Sequence, residues 1–304
     1  MKVSVIINCY NGEEFLQETL SCLKSQTFQD FEIVFLDNCS TDNSSKIALE
    51  YGPKLTYYKT DKNISLGKAR NEAIKKAKGD YIAFLDCDDL WEQNKLELQV
   101  KTLDNNPDCG MVFSNYKILN MLSNTIEVFD KKAVYNKVSF NDFVCKYQIS
   151  LSSFLIRKES LFDLDHFFNN EFNYAEEFEL FSRIAFYRPS IYLAEPLATY
   201  RIHKEMNTRK LIDIIGKELG IILEMFHNID TNFAINYPEV ERYLSFKRDF
   251  AITKSMLKKG ENKKARKLMR NYLSNKKAFC FYLFSFLPKS ISMDLFNWHY
   301  RNQF

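Results

Sequence analysis

The sequence lacks the short motifs that mark several large classes of enzyme. No G-x-G-x-x-G follows a predicted strand and no G-x-x-x-x-G-K-[ST] occurs, which disfavours dinucleotide binding and P-loop chemistry. No H-E-x-x-H or Cys/His cluster indicates a zinc site. The chain has only four histidines and no serine in a G-x-S-x-G elbow, so triad hydrolysis is unsupported. Internal repeats and low-complexity tracts are also missing.

The cysteine pattern and the lengths of the apolar runs predict a chain that is neither exported nor membrane-spanning. Seven cysteines, an odd number, include no C-x-x-C pair, which predicts reduced thiols rather than a disulfide framework. The apolar run within residues 1–8 is too short for a secretory signal and is typical of a first strand. The most apolar stretch, residues 278–287, is about half of the ~20 residues that a spanning helix needs. We therefore expect a cytoplasmic protein.

The composition is that of a folded globular chain. Its 304 residues are 46% hydrophobic and 27% charged, which excludes a disordered or collagen-like protein. This length predicts one large α/β domain with appendages, or two domains. The net charge of +3 conceals an asymmetry, because residues 251–304 carry twelve Lys and Arg against two acids. That tail is +10, which leaves −7 for the first 250 residues.

Short apolar runs alternate with helical patterns in the first part of the chain. The predicted strands are 3–7, 31–36, 55–59, 81–85, 111–116 and 153–156, and the predicted helices include 13–25, 67–78 and 176–187. This βαβ rhythm predicts an α/β fold with a mostly parallel central sheet flanked by helices. A polar loop is expected from about 117 to 140, and a helical C-terminal extension from 212 onward.

Three aspartates follow the fourth predicted strand, in the run Asp86-Cys87-Asp88-Asp89. The carboxyl edge of an open α/β sheet is where such folds bind ligands. Since side chains alternate along a strand, Asp86 and Asp88 can converge on one hard cation, or on a ribose and a cation. Asp89 alone could equally cap a helix expected near Glu92. Three adjacent carboxylates repel one another without a cation, which favours a functional site.

Further motifs accompany this acidic run between residue 3 and about residue 90. They are, in order, Asn8-Cys9-Tyr10-Asn11-Gly12, Ser25-Gln26-Thr27, Phe31-Glu32-Ile33, Asp37-Asn38-Cys39-Ser40-Thr41-Asp42, Gly67 with Ala69-Arg70-Asn71, and Gly79-Asp80-Tyr81-Ile82-Ala83-Phe84-Leu85. Each motif is weak alone, but their order and spacing are specific. Together they resemble family 2 glycosyltransferases, which have the GT-A fold, use nucleotide-diphosphate sugars and invert the anomeric configuration.

The resemblance implies a nucleotide-sugar site made by Asn8, Tyr10, Asn11, Asp37, Arg70, Asp86 and Cys87. Asn8 and Tyr10 would line the base pocket, and Asp37 would accept a hydrogen bond from the uracil imide. An aromatic ring suits stacking and a carboxylate suits an N–H donor. Arg70 would lie near the base or the diphosphate, as a guanidinium suits phosphate. The alternatives are core packing for Tyr10 and a solvated helix face for Arg70.

A metal site follows from the same resemblance. Asp86 would contact the ribose, and Asp88 would ligate the Mn²⁺ or Mg²⁺ that bridges the diphosphate. Downstream, Tyr200-Arg201-Ile202-His203 resembles the Arg-x-His stretch of the family, which implies that His203 approaches the metal or the diphosphate. A lone histidine in a loop is also compatible with a structural role.

The resemblance places the catalytic base at an acidic pair. The family usually has Glu-Asp before an amphipathic helix, and this chain has Glu176-Glu177, so we expect Glu177 to be the base, with Glu176 as the alternative. Both could instead only stabilise the first turn of their helix, whose dipole should lower the pKa of Glu177. In a single displacement the base deprotonates an acceptor hydroxyl, which attacks the anomeric carbon. The family also usually has Asp and Gly where this chain has Asn38 and Cys39.

We therefore expect a nucleotide-sugar-binding half in residues 1–116, an acceptor-binding half in 117–210 and a helical basic and aromatic region in 211–304. The predicted function is transfer of a sugar from a UDP-sugar, or another NDP-sugar, to a glycan or lipid-linked acceptor in bacterial surface-glycan assembly. A nucleotidyltransferase and an inactive nucleotide-binding or membrane scaffold remain alternatives.

The basic tail has two interpretations. Its lysines and arginines are interleaved with aromatics such as Phe279, Phe296 and Trp298. This pattern fits peripheral binding at the inner face of the plasma membrane, and it also fits a helical cap with inward aromatics and solvated lysines. A nucleic-acid partner is not expected, because no recognition motif is present.

Overall fold

The computed structural model describes residues 1–134, 136–146, 150–204 and 212–286. The chain divides into two compact units, residues 1–206 and residues 207–304. The first unit is built on one central sheet with flanking helices, and the described part of the second is helical. The predicted α/β fold with a helical C-terminal region is therefore confirmed.

One sheet runs through the described part of the first unit. Its strands are β1 (Val3–Cys9), β2 (Phe31–Asp37), β3 (Leu55–Lys59), β4 (Tyr81–Phe84), β5 (Leu90–Trp91), β6 (Met111–Asn120), β7 (Thr125–Val128), β8 (Asn136–Val138), β9 (Phe154–Arg157) and β10 (Ser190–Ile202). The strand order is β3-β2-β1-β4-β9-β6-β10-β5, with β7 beside β6 and β8 beside β10.

Helices cover this sheet because each has an apolar face. They are α1 (Glu13–Lys24), α2 (Ser44–Leu49), α3 (Leu66–Ile74), α4 (Lys95–Asp104), α5 (Phe140–Lys146), α6 (Lys158–Phe162) and α7 (Glu176–Tyr187). In α1, Leu16, Leu20 and Leu23 recur at helical spacing and are buried in the main core.

The first four strands by sequence pair with one another only in parallel. β1 pairs in parallel with β2 and with β4, and β2 pairs in parallel with β3. The centre of β1 is buried on both faces, as expected for a strand covered by helices on each side. This arrangement brings the carboxyl ends of β1, β2 and β4 to one edge.

The second half of the sheet departs from the prediction. β9 is antiparallel to both β4 and β6, whereas β6 and β10 pair in parallel, so the sheet is mixed. The predicted polar loop from 117 to 140 is wrong, because it contains the end of β6 together with β7 and β8. Most side chains of β7 are exposed, so its sequence carries no apolar alternation.

The longest strand, β10, is absent from the prediction for a specific reason. Glu195 and Pro196 interrupt its apolar pattern, and the register with β6 shifts on both sides of Pro196. Proline cannot donate to a strand ladder, and a bulge accommodates it.

The described helices of the second unit are α8 (Ile212–Ile229), α9 (Phe233–Asn236), α10 (Pro238–Lys259), α11 (Asn262–Met269) and α12 (Lys276–Phe284). A small core of Leu257, Ala265, Met269, Ala278 and Phe281 holds the last three together. None of the helices in the described ranges combines the length and the apolar character needed to cross a bilayer. The tail aromatics Phe296 and Trp298 lie outside the described residues.

Candidate active site

The carboxyl edge of the parallel strands collects the residues named by the sequence motifs. Asn8 lies at the end of β1, Asp37 is the last residue of β2, and Asp86 lies two residues beyond β4. Because these strands are parallel, their loops meet on one side of the sheet. The topology thus groups residues that are far apart in sequence.

Asn11 fixes the loop after β1 to the loop after β2. It has a positive φ of 52°, which asparagine tolerates better than most residues. Its backbone N donates to Ser40 Oγ at 3.0 Å, and Thr41 N donates to Asn11 Oδ1 at 2.9 Å. The side chain of Asn11 therefore shapes the edge of the site.

Tyr10 and Asn8 offer different groups at this edge. Tyr10 is 52% exposed, so core packing does not explain it and its ring is open to a ligand. The Asn8 Nδ2 atom is buried without a hydrogen-bond partner. A buried donor without an acceptor costs free energy, which a ligand oxygen could recover.

Asp37 is fully buried, and both of its carboxylate oxygens are engaged. Ser40 N donates to Oδ1 at 2.6 Å, the Tyr57 hydroxyl donates to Oδ2 at 2.6 Å, and Lys59 Nζ lies 3.8 Å from Oδ2. The structure thus does not present Asp37 to a ligand as expected. A uracil N–H that reaches Asp37 would compete with the Tyr57 hydroxyl for Oδ2.

Arg70 is the centre of a buried charge cluster. Its side chain is only 2% exposed, so the solvated-face alternative is wrong. One nitrogen, Nη2, lies 3.2 Å from Asp86 Oδ1, and Nη1 lies 3.3 Å from Glu176 Oε1 and 3.1 Å from Glu177 Oε1. The guanidinium also lies 5.3 Å from the centre of the Phe168 ring. Burial opposes the charged form, but Glu177, Asp86 and Glu176 outweigh it and raise the pKa of Arg70.

Three carboxyl groups share this one guanidinium, so the cluster would carry excess negative charge if all three were ionised. Burial raises the pKa of Asp86, with Arg70 opposing and Asp88 adding to the shift. Burial also raises the pKa of Glu177 to about 8, against the pull of Arg70 and with a contribution from Glu176. The lowered pKa predicted from the helix dipole is therefore wrong, because desolvation of the carboxylate is the larger effect.

Asp88 and His203 meet across the site from distant parts of the chain. His203 Nε2 is hydrogen-bonded to Asp88 Oδ2 at 3.0 Å, and Phe15 packs on the imidazole with ring centroids 4.7 Å apart. No three His, Cys, Asp or Glu side chains gather into a metal cage within the described ranges. Two protein ligands nevertheless fit a divalent cation that takes its remaining ligands from substrate phosphates and water.

Asp89 has a structural role that differs from the predicted helix cap. It is 1% exposed, its Oδ2 accepts from the Ser152 hydroxyl at 2.6 Å, and its Oδ1 accepts from Arg201 N at 3.1 Å. The helix that follows begins at Lys95 after Asn94, so Asp89 is too early to cap it. By binding Arg201, Asp89 ties the acidic run to the strand that ends just before His203.

Cys87 faces inward, towards a second thiol. A Cβ placed on Gly12 would lie 2.9 Å from Cys9 Sγ and 3.0 Å from Cys87 Sγ, so both sulfurs pack beneath this glycine. Their hydrogen bond raises the pKa of Cys87 and lowers that of Cys9. The side chain of Cys87 is thus directed at Cys9.

Three residues that position the site were not predicted. The Tyr57 hydroxyl donates a hydrogen bond to Asp37, the Ser152 hydroxyl donates one to Asp89, and the Phe168 ring packs against Arg70. A signal existed for the last of these: Asn71, in the Ala69-Arg70-Asn71 motif, donates to Phe168 O at 2.8 Å and accepts from Phe168 N at 2.9 Å. Nothing in the sequence patterns marks Tyr57 or Ser152.

Comparison with known proteins identifies the family. Residues 4–148 match the family model described as glycosyl transferase family 2. An uncharacterized glycosyltransferase of Rickettsia prowazekii is 30% identical over 218 residues, which are 69% of this chain and 67% of that protein. The chain belongs to glycosyltransferase family 2. It is therefore a glycosyltransferase enzyme, as the sequence motifs predicted.

Other similar proteins match a shorter part of this chain or have a lower sequence identity. The UDP-Glc:α-D-GlcNAc-diphosphoundecaprenol β-1,3-glucosyltransferase WfgD of Escherichia coli is 35% identical over 143 residues, which are 46% of this chain and 55% of that enzyme. Crystalline TarS 1-349 of S. aureus in complex with UDP-GlcNAc superposes with a TM-score of 0.67 at 23% identity, covering 83% of this chain and 72% of that one. The Pyrobaculum calidifontis mannosyltransferase PcManGT in complex with GDP-Man and Mn²⁺ gives 0.57 at 18% identity, covering 97% and 86%. These two likenesses show the shared GT-A fold.

Proposed function

We propose that this family 2 glycosyltransferase moves a sugar from a UDP-sugar to a hydroxyl of a lipid-linked glycan acceptor, with inversion and with a divalent cation. The observation that carries the proposal is the Arg70 cluster, in which Asp86, Glu176 and Glu177 all lie within 3.3 Å of one guanidinium. It joins the acidic run after β4 to the acidic start of α7. Groups for the donor and a base for the acceptor are therefore adjacent.

The donor half is proposed to be residues 1–116. The exposed ring of Tyr10 offers a stacking face for a base, the unpaired Nδ2 of Asn8 offers a donor, and the partly exposed carboxylate of Asp86 can accept from a ribose hydroxyl. Asp37 reads the uracil imide in competition with the Tyr57 hydroxyl. The name of WfgD and the UDP-GlcNAc in TarS support a uridine donor, whereas PcManGT holds a guanosine one.

The cation is proposed to be held by Asp88 and His203. A carboxylate with an imidazole is compatible with Mn²⁺, and Mg²⁺ is the alternative. When bound there, a divalent cation supplies positive charge to the leaving diphosphate. Asp88 is 31% exposed and His203 14%, so both side chains are within reach of a ligand that enters from solvent. The Mn²⁺ in PcManGT supports this assignment.

Glu177 is proposed to be the general base. Its side chain is 25% exposed and that of Glu176 is 8% exposed, which favours Glu177 as the carboxylate that an acceptor can reach. With a pKa of about 8, the ionised form binds a proton more strongly than an ordinary glutamate does. Glu177 takes the proton of the acceptor hydroxyl. At the same time the acceptor oxygen bonds to the anomeric carbon of the donor sugar, and the bond from that carbon to the diphosphate breaks. Arg70 keeps the carboxylate in position through Nη1.

Residues 117–210 are proposed to bind the acceptor, and residues 211–304 to attach the enzyme to the inner face of the plasma membrane. On α12 and just beyond it, Phe279, Leu283 and Phe286 are exposed at 46%, 46% and 54%, at spacings that share one helix face. Burial, together with Lys247 and Lys277, lowers the pKa of Lys254 to about 8, so these lysines lie close together. Apolar groups beside clustered cations suit an anionic lipid surface.

A panel of nucleotide sugars tests the donor. Binding at about 100 times the dissociation constant should stabilise the protein by about 2.7 kcal/mol, so a UDP-sugar with Mn²⁺ should raise the melting temperature where CDP- and GDP-sugars do not. Product analysis with that donor should then find UDP and a glycosylated lipid diphosphate. Pyrophosphate in place of UDP would make the enzyme a nucleotidyltransferase, and binding without turnover would leave a nucleotide-binding scaffold.

A further inference from the structure

Cys9 and Cys87 lie side by side at the carboxyl edge of the sheet. In the parallel pairing of β1 and β4, Ile6 is opposite Phe84, and Leu85 N donates to Ile6 O at 3.0 Å. Cys9 is the last residue of β1, and Cys87 lies three residues beyond β4 in the loop that follows it. Both are free thiols.

Their sulfurs converge on one point. Each lies within 3.0 Å of the position that a Cβ on Gly12 would occupy, so their separation cannot exceed the sum of the two short distances. Because Cys87 belongs to a loop rather than to a paired strand, a shift of this loop can bring the two sulfurs into bonding distance.

The geometry points to a dithiol modification site: we propose that a low-molecular-weight disulfide oxidises Cys9 and Cys87 to an intramolecular disulfide, which closes the donor site. The oxidation itself stands on the geometry of the two thiols. Its effect on the donor rests on the function proposed above.

The order of the two steps follows from exposure. Cys87 is partly exposed and Cys9 is 1% exposed, so the reagent reaches Cys87 first, although the hydrogen bond between the two thiols raises the pKa of Cys87. Its thiolate attacks one sulfur of the reagent, a mixed disulfide forms and one thiolate leaves. Cys9, after losing its proton, then attacks Sγ of Cys87, the internal S–S bond forms and the second thiolate leaves. The protein loses two electrons and two protons, and the reagent is reduced to two thiols.

The consequence follows from the position of Cys87 between Asp86 and Asp88. An S–S bond is about 2.05 Å long, so the sulfurs must approach each other and carry the acidic run with them. The backbone of this run is otherwise held by Thr19, whose hydroxyl donates to Cys87 O at 3.0 Å and to Asp89 O at 2.9 Å. We therefore expect weaker binding of UDP with Mn²⁺, by at least tenfold, and recovery after reduction.

The experiment treats the full chain with bis(2-hydroxyethyl) disulfide and maps its peptides by mass spectrometry. Wild type should yield one cross-linked pair of peptides, containing Cys9 and Cys87, with the loss of two hydrogens. In Cys9→Ser the second step is blocked, so Cys87 should stop as the mixed disulfide. Cys280→Ser, which removes an exposed thiol of the second unit, should cross-link as wild type does.

Two readouts keep the outcomes separate. Absence of the Cys9–Cys87 cross-link in wild type, or pairing of either thiol with Cys22 or Cys39, would overturn the proposal whether or not the protein transfers sugar. A cross-link that leaves the calorimetric affinity for UDP with Mn²⁺ unchanged would overturn closure of the donor site. If Cys9→Ser does not fold, slower cross-linking of wild type in saturating UDP and Mn²⁺ is the supporting result, and an unchanged rate contradicts it.

Discussion

Replacing Glu177 with glutamine tests the mechanism most directly. The amide is nearly isosteric, and its oxygen can still accept from Arg70 Nη1, which now lies 3.1 Å from Glu177 Oε1. Arg70 also keeps its contacts with Asp86 and Glu176. The fold and the donor site should therefore survive. Loss of a positioned general base typically lowers the rate about 10² to 10⁴-fold, so turnover should fall by that factor.

The pKa of Glu177 gives this prediction a second signature. With a pKa of about 8, roughly one tenth of the carboxyl groups are ionised at pH 7, so the wild-type rate should rise about tenfold towards a plateau above pH 9. Glu177→Gln should lose this rise. The free energy of unfolding changes in the opposite sense, because the pKa of Glu177 in the folded state is raised from 4.5. The contribution of Glu177 to this free energy is fully present below that value and is lost as pH rises through about 8.

The assay measures UDP release with an acceptor, the dissociation constant of the donor and the melting temperature, each from pH 6 to about 9.5, a window chosen to bracket the titration. Glu176→Gln is the matched control, since Glu176 contacts the same guanidinium but is almost buried. It should keep most of the activity and the pH profile. Near-normal turnover of Glu177→Gln, or a flat wild-type profile, would remove Glu177 from the mechanism.

Three further predictions concern the cation, recognition of the uracil base and binding to the membrane. Asp88→Ala should lose transfer and Mn²⁺-stimulated UDP binding together while its melting temperature changes little, and full activity in EDTA would contradict the metal assignment. Tyr57→Phe should bind UDP at least as tightly as wild type, because the competing hydroxyl on Asp37 is gone, and equal affinity of wild type for CDP and UDP in calorimetry would rule out uracil reading. The full chain should bind anionic vesicles in flotation at low salt and release as salt rises, Lys277→Glu should bind less, and indifference to vesicles at low salt would favour the helical cap.

The order of elements in the donor half was predictable because it depends on local pattern. β3 and α7 have the predicted bounds, since a short apolar run between turn residues and a 3.6-residue period identify them without tertiary context. The rule for open α/β sheets also predicted that the acidic run lies at the carboxyl edge of the sheet. β10 was missed because Pro196 and the bulge around it interrupt the alternation of apolar residues. The hairpin with β7 was missed because most side chains of β7 are exposed.

Tertiary structure alone decided how the site residues are used. The sequence by itself determined the family, the βαβ rhythm and the acidic run, because motif order and apolar period are written in neighbouring residues. It could not determine that Arg70 is buried among three carboxylates, or that the Tyr57 hydroxyl is hydrogen-bonded to Asp37. These contacts join residues brought together by strand order, and burial is a property of the assembled fold. The raised pKa of Glu177 has the same origin, since desolvation by the packed domain outweighs the helix dipole that its local sequence supplies.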